Sequence, residues 1–325
     1  MSSTDFASGS PLDFALVSVE SLEASLAFYR DRIGLSAAPI TSLASCAAGF
    51  DEGPGRPARV ALCGEPGTPA GRILLVEFAG PRTIRVRLPG DRTTRGLWNL
   101  NFYVNDIRRV SQELSAAGFE FWSEPVTYPV GVTAGTATEV VFEGPDGVAI
   151  NLVEPQGGPE TFTGRVRAAV AEHGKTRTGF TPVATTGHCV RDLAAACGFY
   201  RDVLGMQVVL DETLGRPETN HFLARPRDAR THTMFFAGTH FFGKVALNEP
   251  QNFVVPERVD RARAPAVGYL AQGFAVPSLL RATETLTGAT MRRIEMRGIP
   301  GLPDGPMLQV SIPGSGALAL LREAT

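Results

Sequence analysis

The chain of 325 residues lacks several features that would assign it to a particular class of protein. No stretch approaches the roughly 20 consecutive apolar residues of a membrane-spanning helix, so we expect no membrane partner. The formal net charge is only -2, and a chain this close to neutrality has no overall field that attracts nucleic acid. Residues 1–11 are polar and have no basic start, which is not typical of a secretory signal.

Cysteine and the common catalytic motifs are also scarce. The four cysteines, Cys46, Cys63, Cys189 and Cys197, have neither metal-finger spacing nor the pattern of a disulfide framework. We therefore expect free thiols and a cytoplasmic protein. There is no Gly-x-Gly-x-x-Gly after a strand, no phosphate loop, no His-Glu-x-x-His and no Gly-x-Ser-x-Gly. Nucleotide-binding, zinc-protease and serine-hydrolase functions thus have no support.

What the chain does contain is a segment written four times. Each copy ends an apolar run with Val and places Ser or Asp just before a helical run. The four cap residues are Ser21, Asp106, Asp192 and Ser278. Their side-chain oxygens can accept hydrogen bonds from the free amides of a first helical turn. The repeat predicts four units in which a strand leads into a helix.

The copies are of two alternating kinds. The first and third helices end in closely matching stretches, residues 28–34 and 199–205, which both read Phe-Tyr-Arg-Asp-x-Leu/Ile-Gly. The second and fourth helices end at Gly118 and Gly288, where a left-handed C-terminal residue is wanted. The pattern predicts two halves, each with an odd and an even module.

The repeat also predicts the domain boundaries. We expect an N-terminal domain in residues 1–158, with modules at 12–78 and 96–155, and a C-terminal domain in residues 180–325, with modules at 180–250 and 266–324. Residues 159–179 are a predicted linker, in which 165–173 could form a short helix. A chain of this length has enough residues for two full cores.

A strand, a helix and three strands, repeated in pairs with the Phe-Tyr-Arg-Asp motif, resemble the vicinal oxygen chelate (VOC) superfamily. This superfamily includes glyoxalases, bleomycin-resistance proteins and extradiol dioxygenases. The resemblance covers nearly the whole chain. It implies an α+β fold in which four βαβββ modules form two tandem glyoxalase-like domains, with mixed sheets curled around a cleft. It does not define the reaction, because one fold serves many chemistries.

In metal-using members of this family, the resemblance implies a His or Gln in the first strand of a module and a Glu in its last strand. A divalent ion needs such ligands to converge from facing strands. The corresponding residues of this chain are Phe14, Asn99, Thr185 and Ala271 in first strands, and Leu74, Asn151, Ala246 and Leu320 in last strands. None is a usual ligand, so we expect neither a metal nor another cofactor.

Alternate residues of the first strands should show what each cleft contains, if the two modules of a half face each other. The N-terminal cleft would then present Phe14, Leu16 and Ser18 opposite Asn99, Asn101 and Tyr103. The C-terminal cleft would present Thr185, Gly187 and Cys189 opposite Ala271, Gly273 and Ala275. The second set is small, which predicts a roomy cavity. The alternative is that residues 212–228 or 295–306 fold in and fill it.

Polar side chains near these strands are the candidate site residues. In the C-terminal cleft they are Lys244, Asn248 and Arg322, together with Thr185 and Cys189, and we place His232, Met234 and Phe236 along one wall. In the N-terminal half, Asn99, Asn101, Tyr103 and Asn151 form either a polar binding site or a mutually hydrogen-bonded interior. Cys189 would be a nucleophile only if a neighbour favoured its thiolate, and a small buried residue is the stronger interpretation.

The histidines give no clear metal site. Strand alternation places His188 beneath the helix, where a hydrogen-bonded core residue is the stronger interpretation. His232 and His240 have no nearby carboxylate in sequence, and we interpret both as surface or pocket residues before ligands.

Three functions stay open. The first is metal-independent binding, with or without further transformation, of a hydrophobic or aromatic small molecule in the C-terminal cleft. The second is a metal-free enzyme in which His232, Lys244 or Tyr103 moves a proton. The third is a metal-dependent extradiol dioxygenase or glyoxalase-like lyase with displaced ligands. The sequence defines neither the ligand nor the reaction, and a homodimer is one arrangement that it leaves open.

Overall fold

The computed structural model describes residues 9–43, 58–80, 84–130 and 135–324. In module one these residues form β1 (Leu12–Ser18), α1 (Leu22–Leu26, continued as a π-helix at Ala27–Arg32), β2 (Ser36–Ala37), β3 (Thr41–Leu43), β4 (Ala58–Gly64) and β5 (Arg72–Phe78). Module two contains β6 (Gly96–Tyr103), α2 (Ile107–Ala116), β7 (Val126–Pro129), β8 (Thr136–Glu143) and β9 (Ala149–Gln156). The predicted linker contains α3 (Phe162–His173).

Module three follows the same plan with one extra helix. It contains β10 (Thr185–Cys189), α4 (Leu193–Gly198, continued as a π-helix at Phe199–Val203), β11 (Gln207–Leu214), α5 (Pro217–Phe222), β12 (Thr231–Ala237) and β13 (Lys244–Pro250). Module four contains β14 (Gly268–Val276), α6 (Leu279–Thr285), β15 (Met291–Met296), β16 (Gly305–Ser311) and β17 (Leu318–Glu323). The predicted α+β fold of four βαβββ modules is confirmed, and both Phe-Tyr motifs lie in the π-helical turns.

The four predicted helix caps form. Ser21, Asp106, Asp192 and Ser278 each accept a hydrogen bond from the backbone amide three residues later, at 3.0 to 3.4 Å. A second cap comes from the end of the last strand of each module. There the carboxylates of Glu77, Glu154, Glu249 and Glu323 accept from the first amide of the same module's helix, at 2.7 to 3.0 Å. This second bond closes each module on itself and satisfies another free amide.

The sheets join modules across the two halves. Strand β1 of module one pairs antiparallel with β14 of module four, and β6 of module two pairs antiparallel with β10 of module three. One sheet therefore combines modules one and four, and the other combines modules two and three. The sequence-based expectation that each cleft is built from the two modules of one half is wrong.

Contacts within each half run through the helices instead. In the N-terminal half, the ring of Phe28 on module one's helical segment lies 5.1 Å from Phe119 and 6.1 Å from Phe142 of module two. In the C-terminal half, Tyr200 of module three lies 6.2 Å from Phe274 of module four. One large apolar core contains side chains from α1, α2, α4 and α6 and from both sheets. These four helices thus pack in the layer between the two sheets.

The cleft of modules one and four, called the filled cleft below, is packed with apolar side chains. Phe14, Leu16 and Ala271 of the first strands belong to one buried cluster with Leu74 and Leu320. Ile299 and Leu302 join it from the segment 295–306, which was considered as a possible filler of a cleft. A Cβ on Gly273 would lie only 2.4 Å from the tip of the Phe14 ring. Large residues of β1 therefore interlock with small residues of β14.

Candidate functional site

The other cleft, called the open cleft below, lies where β6 and β10 pair, with Asn101 opposite Thr185 and Asn99 opposite Gly187. Strand β9 adds Asn151 beside Asn101. A cavity of about 110 Å³ lies over these strands. One water occupies about 10–15 Å³ by this measure, so the cavity has room for a molecule of on the order of ten non-hydrogen atoms.

Aromatic side chains form much of the cavity wall. Tyr128 of β7 and Phe222 of α5 stack with ring centres 5.6 Å apart and an interplanar angle of 19°. Phe162 at the start of α3 and Phe235 of β12 line the same space. Because α5 packs on β7 and β8, residues 212–228 of module three cover strands of module two. This segment, considered from sequence as a filler, is the roof of the cavity.

A β-bulge and a glycine bring two more side chains to the cavity. The pairing of β6 with β10 shifts register between Leu97 and Asn99 and so skips Trp98. Both Trp98 and Asn99 then line the cavity. A Cβ on Gly187 would lie 2.0 Å from Asn99 Oδ1 and 2.7 Å from Trp98 Nε1. The absence of a side chain at Gly187 is what allows both groups to lie against β10.

Several polar atoms at this site have no partner. Asn99 Nδ2 donates to Asn101 Oδ1 at 2.7 Å, and Asn151 Nδ2 donates to a carboxylate. Among the described residues, however, Asn99 Oδ1, Asn151 Oδ1 and Trp98 Nε1 have no hydrogen-bond partner although they are buried. Leaving such a group unpaired costs about 1–3 kcal/mol, which water or a ligand would offset. The residues that line the cavity thus carry two unpaired acceptors and one unpaired donor.

Two carboxylates, those of Glu212 on β11 and Glu139 on β8, line the cavity. Glu139 is partly exposed. It accepts hydrogen bonds from Tyr128 Oη at 2.5 Å and from Asn151 Nδ2 at 2.6 Å. Desolvation raises the pKa of this carboxyl above its ordinary value, in spite of both bonds, which act in the opposite direction. A carboxyl group with such a pKa can hold or release a proton closer to neutral pH than a solvated one.

Arg225, just after α5, supplies a cation. Arg225 is 8% exposed and lines the cavity. Nε donates to Thr93 Oγ1 at 3.2 Å, Nη1 donates to Thr231 Oγ1 at 3.0 Å, and the guanidinium carbon lies 5.8 Å from the centre of the Phe253 ring. Burial lowers its pKa to about 10. The guanidinium nevertheless stays charged at neutral pH.

Seven of the sequence-predicted site residues meet in this cavity. They are Asn99, Asn101, Tyr103, Asn151, Thr185, Gly187 and Asn248. The two interpretations of the asparagine row are both partly realised, since Asn99 bonds to Asn101 and also keeps an unpaired oxygen. Burial raises the pKa of the Tyr103 phenol, so it stays protonated at neutral pH.

Four other predicted residues lie elsewhere. Ala271, Gly273, Ala275 and Arg322 belong to the sheet of the filled cleft, so they cannot share a cavity with Thr185. Arg322 Nε donates to the buried carboxylate of Asp13 at 2.9 Å, and Arg72 donates to the same carboxylate. The predicted C-terminal cleft is wrong because β10 pairs with β6 and not with β14.

Lys244, at the start of β13, and Cys189, at the end of β10, do not line the cavity. Lys244 Nζ lies 3.9 Å from the centre of the Phe241 ring and donates to the Phe241 carbonyl. Burial lowers the pKa of this amine to about 7. Burial raises the pKa of the Cys189 thiol to about 11, so at neutral pH it is a protonated thiol and no nucleophile. Cys63, Cys189 and Cys197 are free and buried, and Cys46 lies outside the described residues.

The histidines lie away from the cavity. His232 is on the opposite face of β12 from Thr233 and Phe235, and its Nε2 lies 2.7 Å from Asp211 Oδ1. The prediction that His232, Met234 and Phe236 form a wall of the cavity is therefore wrong. Residues of a strand alternate between its two faces, and these three lie on the face of β12 that points away from the cavity. His188 bonds to Tyr200 Oη at 2.9 Å and to Ser315 Oγ at 2.8 Å, which confirms a core residue. Burial lowers its pKa to about 3.

Glu139, Arg225 and Trp98 were not among the site residues predicted from the sequence. Glu139 had a detectable signal, because it alternates with Ala137 and Val141 on one face of an apolar strand. Trp98 reaches the cavity only through the bulge, which strict alternation does not predict. Arg225 follows a short helix in a segment without periodicity, and no sequence pattern indicated it.

The donors present do not fit the divalent metal ion that the family resemblance implies. The ligand positions in the open cleft carry Asn99, Asn151, Thr185 and Ala246, and the nearby carboxylate of Glu139 is engaged by Tyr128. Iron, zinc, nickel and manganese sites use imidazole, thiolate and several carboxylate ligands. Within residues 9–43, 58–80, 84–130 and 135–324, no three His, Cys, Asp or Glu side chains converge in a way that could hold a metal ion.

Comparison with known proteins supports the fold. The model of the Glyoxalase/Bleomycin resistance protein/Dioxygenase superfamily matches residues 12–152 and again 183–295. The structure is similar to glyoxalase I from Zea mays, with a TM-score of 0.61 and 14% identity over 98% of this chain and 93% of that one. It is also similar to a candidate dioxygenase from Bacillus subtilis, with a TM-score of 0.54 and 10% identity over 97% of this chain and 85% of that one.

No curated protein matches the chain. Of the helices in the described ranges, none has the length and apolar character needed to cross a membrane.

Proposed function

Because the chain belongs to the Glyoxalase/Bleomycin resistance protein/Dioxygenase superfamily and no three metal-type ligands converge in the described part of its open cleft, we propose that it binds a small aromatic or other apolar molecule there without a metal ion. The observation that carries the proposal is the set of unpaired atoms, Trp98 Nε1, Asn99 Oδ1 and Asn151 Oδ1, on residues that line a cavity with several aromatic walls. A pocket with apolar walls and few convergent polar groups is typical of small-molecule sites.

Fluorescence offers a direct test, because the chain's two tryptophans are both at the cleft. Trp98 lines the cavity, and Trp122 stacks on it with ring centres 6.2 Å apart. Titration with phenol, which has a ring and one donor, should give a saturable fluorescence change that a chelator does not alter. Elemental analysis that found stoichiometric iron, zinc, manganese or nickel in untagged protein would contradict metal independence.

A matched pair of variants links the signal to the cavity. Ala246 lines it, so Ala246→Leu should occupy part of the space and weaken phenol binding. Ala194→Leu makes the same substitution at an exposed position of α4 and should leave binding unchanged. If both variants weaken phenol binding equally, or if neither variant weakens it, phenol binds elsewhere.

Glu139 favours a second candidate function, proton transfer without a metal. A general base must lie at the substrate with a pKa near the working pH, and Glu139 lines the cavity with a raised pKa. The enolisable ketone phenylacetone in D₂O would lose its acidic C–H signals faster with the protein than without it. Glu139→Gln keeps the shape of the side chain and should abolish this exchange while phenol still binds. Exchange that is unaffected by Glu139→Gln would exclude this role.

The cytoplasmic location and the homodimer stay predictions. Lys244 and His232, the other proton-transfer candidates from sequence, lie outside the cavity lining. Tyr103 lines it, but the raised pKa of its phenol makes it a hydrogen-bond donor rather than a base.

A further inference from the structure

Arg225 indicates the charge of the molecule that the open cleft takes. We propose that this molecule is a small carboxylate, with its anionic group on the Arg225 guanidinium and its apolar body against the aromatic wall. This inference rests on the proposed function and adds the chemical class of the ligand.

First, Arg225 is buried without a counter-charge. Other enclosed arginines of this chain have strong acceptors. Arg322 and Arg72 share the carboxylate of Asp13, and Arg87 donates to three backbone carbonyls. Arg225 has two neutral hydroxyl acceptors, and no carboxylate of the described residues forms an ion pair with it. Burying a charge without a partner is costly, so such a group points to a missing anion.

Second, the guanidinium of Arg225 has free donors at the cavity. It carries five N–H groups, and Thr93 and Thr231 engage one on Nε and one on Nη1. Nη2 has no acceptor in the described part of the chain. Since Arg225 lines the cavity, the remaining N–H groups are available to its occupant. A planar carboxylate matches two neighbouring guanidinium N–H groups better than a neutral amide does.

Third, the local backbone holds Arg225 in place. Ala224 has a φ of +50°, a left-handed conformation that a residue with a side chain rarely adopts. The turn is tied down by Asn220, which is fully buried. Its carbonyl accepts from the Arg225 amide at 2.8 Å, and its Nδ2 donates to the carbonyls of Arg227 and Ala229. A strained turn held by buried bonds is typical of a preorganised binding group.

The cavity lining therefore includes a cation as well as hydrogen-bond acceptors. Arg225 supplies the cation, while Glu139, Asn99 and Asn151 supply acceptors, and no hydrogen bond joins Arg225 to Glu139. An aromatic acid with a hydroxyl group away from its carboxylate could use both. 4-Hydroxybenzoate has ten non-hydrogen atoms, which suits a cavity of about 110 Å³. 4-Hydroxybenzamide has the same shape without the charge.

The test is titration of the full chain with both probes, followed by tryptophan fluorescence and calorimetry at pH 7.5. We expect 4-hydroxybenzoate to bind roughly 100-fold more tightly than 4-hydroxybenzamide, as for a buried charged hydrogen bond. Arg225→Met should remove this preference, because it weakens binding of the acid far more than binding of the amide. Arg225→Lys should retain part of it. Arg167→Met, the same substitution at an exposed position of α3, should keep the full preference.

The outcomes separate this inference from the proposed function. If the amide binds as tightly as the acid, or if Arg225→Met keeps the preference, the carboxylate assignment is overturned while the cavity remains a binding site. If neither probe nor phenol binds at millimolar concentration, both proposals are overturned. Thermal unfolding checks that Arg225→Met folds. Should it not fold, the acid–amide comparison in the unchanged chain and Arg225→Lys still decide the question.

Discussion

The structure assigns opposite contents to the two clefts, and the filled one allows a quantitative test. Phe14 is 0% exposed, and its ring occupies the space above Gly273. Truncation by Phe14→Ala removes the ring and leaves a void, which we expect to cost about 3–5 kcal/mol of unfolding free energy. Gly273→Ala places a methyl group 2.4 to 2.7 Å from the same ring and should cost about 1–3 kcal/mol by overpacking.

The double variant Phe14→Ala with Gly273→Ala tests whether the two positions are in direct contact. In the Phe14→Ala background the methyl group at position 273 meets a void instead of a ring, so its cost should vanish or become a small gain. The coupling free energy should therefore be about 1–3 kcal/mol, as for residues in direct contact. Gly198→Ala is the control, because its added methyl group approaches only Asp202 Oδ2, at 3.6 Å, and should not couple to Phe14.

Equilibrium urea unfolding of the four proteins measures each term, provided that the slopes agree and the transitions are two-state. If the two substitutions add to within about 0.5 kcal/mol, Phe14 does not occupy the space above Gly273. The filled cleft would then be wrong, along with the pairing of modules one and four that creates it.

Three further predictions concern stability. Glu249→Ala removes the second cap of α4 and should cost about 0.5–2 kcal/mol in urea unfolding, whereas Glu284→Ala on the exposed face of α6 should cost less than about 0.5 kcal/mol. Because the folded-state pKa of His188 is lowered to about 3, protonation favours the unfolded chain, so this residue makes stability fall by up to about 1.4 kcal/mol per pH unit below pH 6.5. His188→Gln should lack that component when unfolding is compared at pH 8 and pH 5. Burial lowers the pKa of Lys244 to about 7, so the free-energy cost of burying its charge is complete below pH 7 and fades towards pH 10.5. Lys244→Met should therefore be more stable than the unchanged chain near pH 6. An equal gain in stability at pH 10.5 would contradict this.

The local features of the fold were predictable from the sequence because their causes are local. Ser21 and Asp192 cap helices through bonds to amides three residues away. The Phe-Tyr motif ends both odd helices, and His188 is a core residue as alternation indicated. Even the asparagines at 99, 101 and 151 were recognised as one polar group, since neighbouring strands of one module bring them together.

The composition of the clefts was not predictable in the same way. Each first strand could pair with any of three others, and the choice depends on side chains far apart in sequence. Phe14 fits the space left by Gly273, whereas Asn99 lies against Gly187. The expected pairing would have placed Phe14 and Leu16 against Asn99 and Asn101, where the amides would have been buried beside apolar groups. The steric fit of side chains and the hydrogen bonding of polar groups between modules of different halves therefore decide which first strands pair.

The amino-acid sequence alone determined the four modules, their caps and the residue types at the eight family ligand positions, because each depends on residue type and short spacing. Only the tertiary structure decided that modules two and three share the cavity, that Trp98 enters it through a bulge, and that Glu139 and Arg225 line it. Those features depend on strand register and loop placement, which are set by contacts between distant parts of the chain.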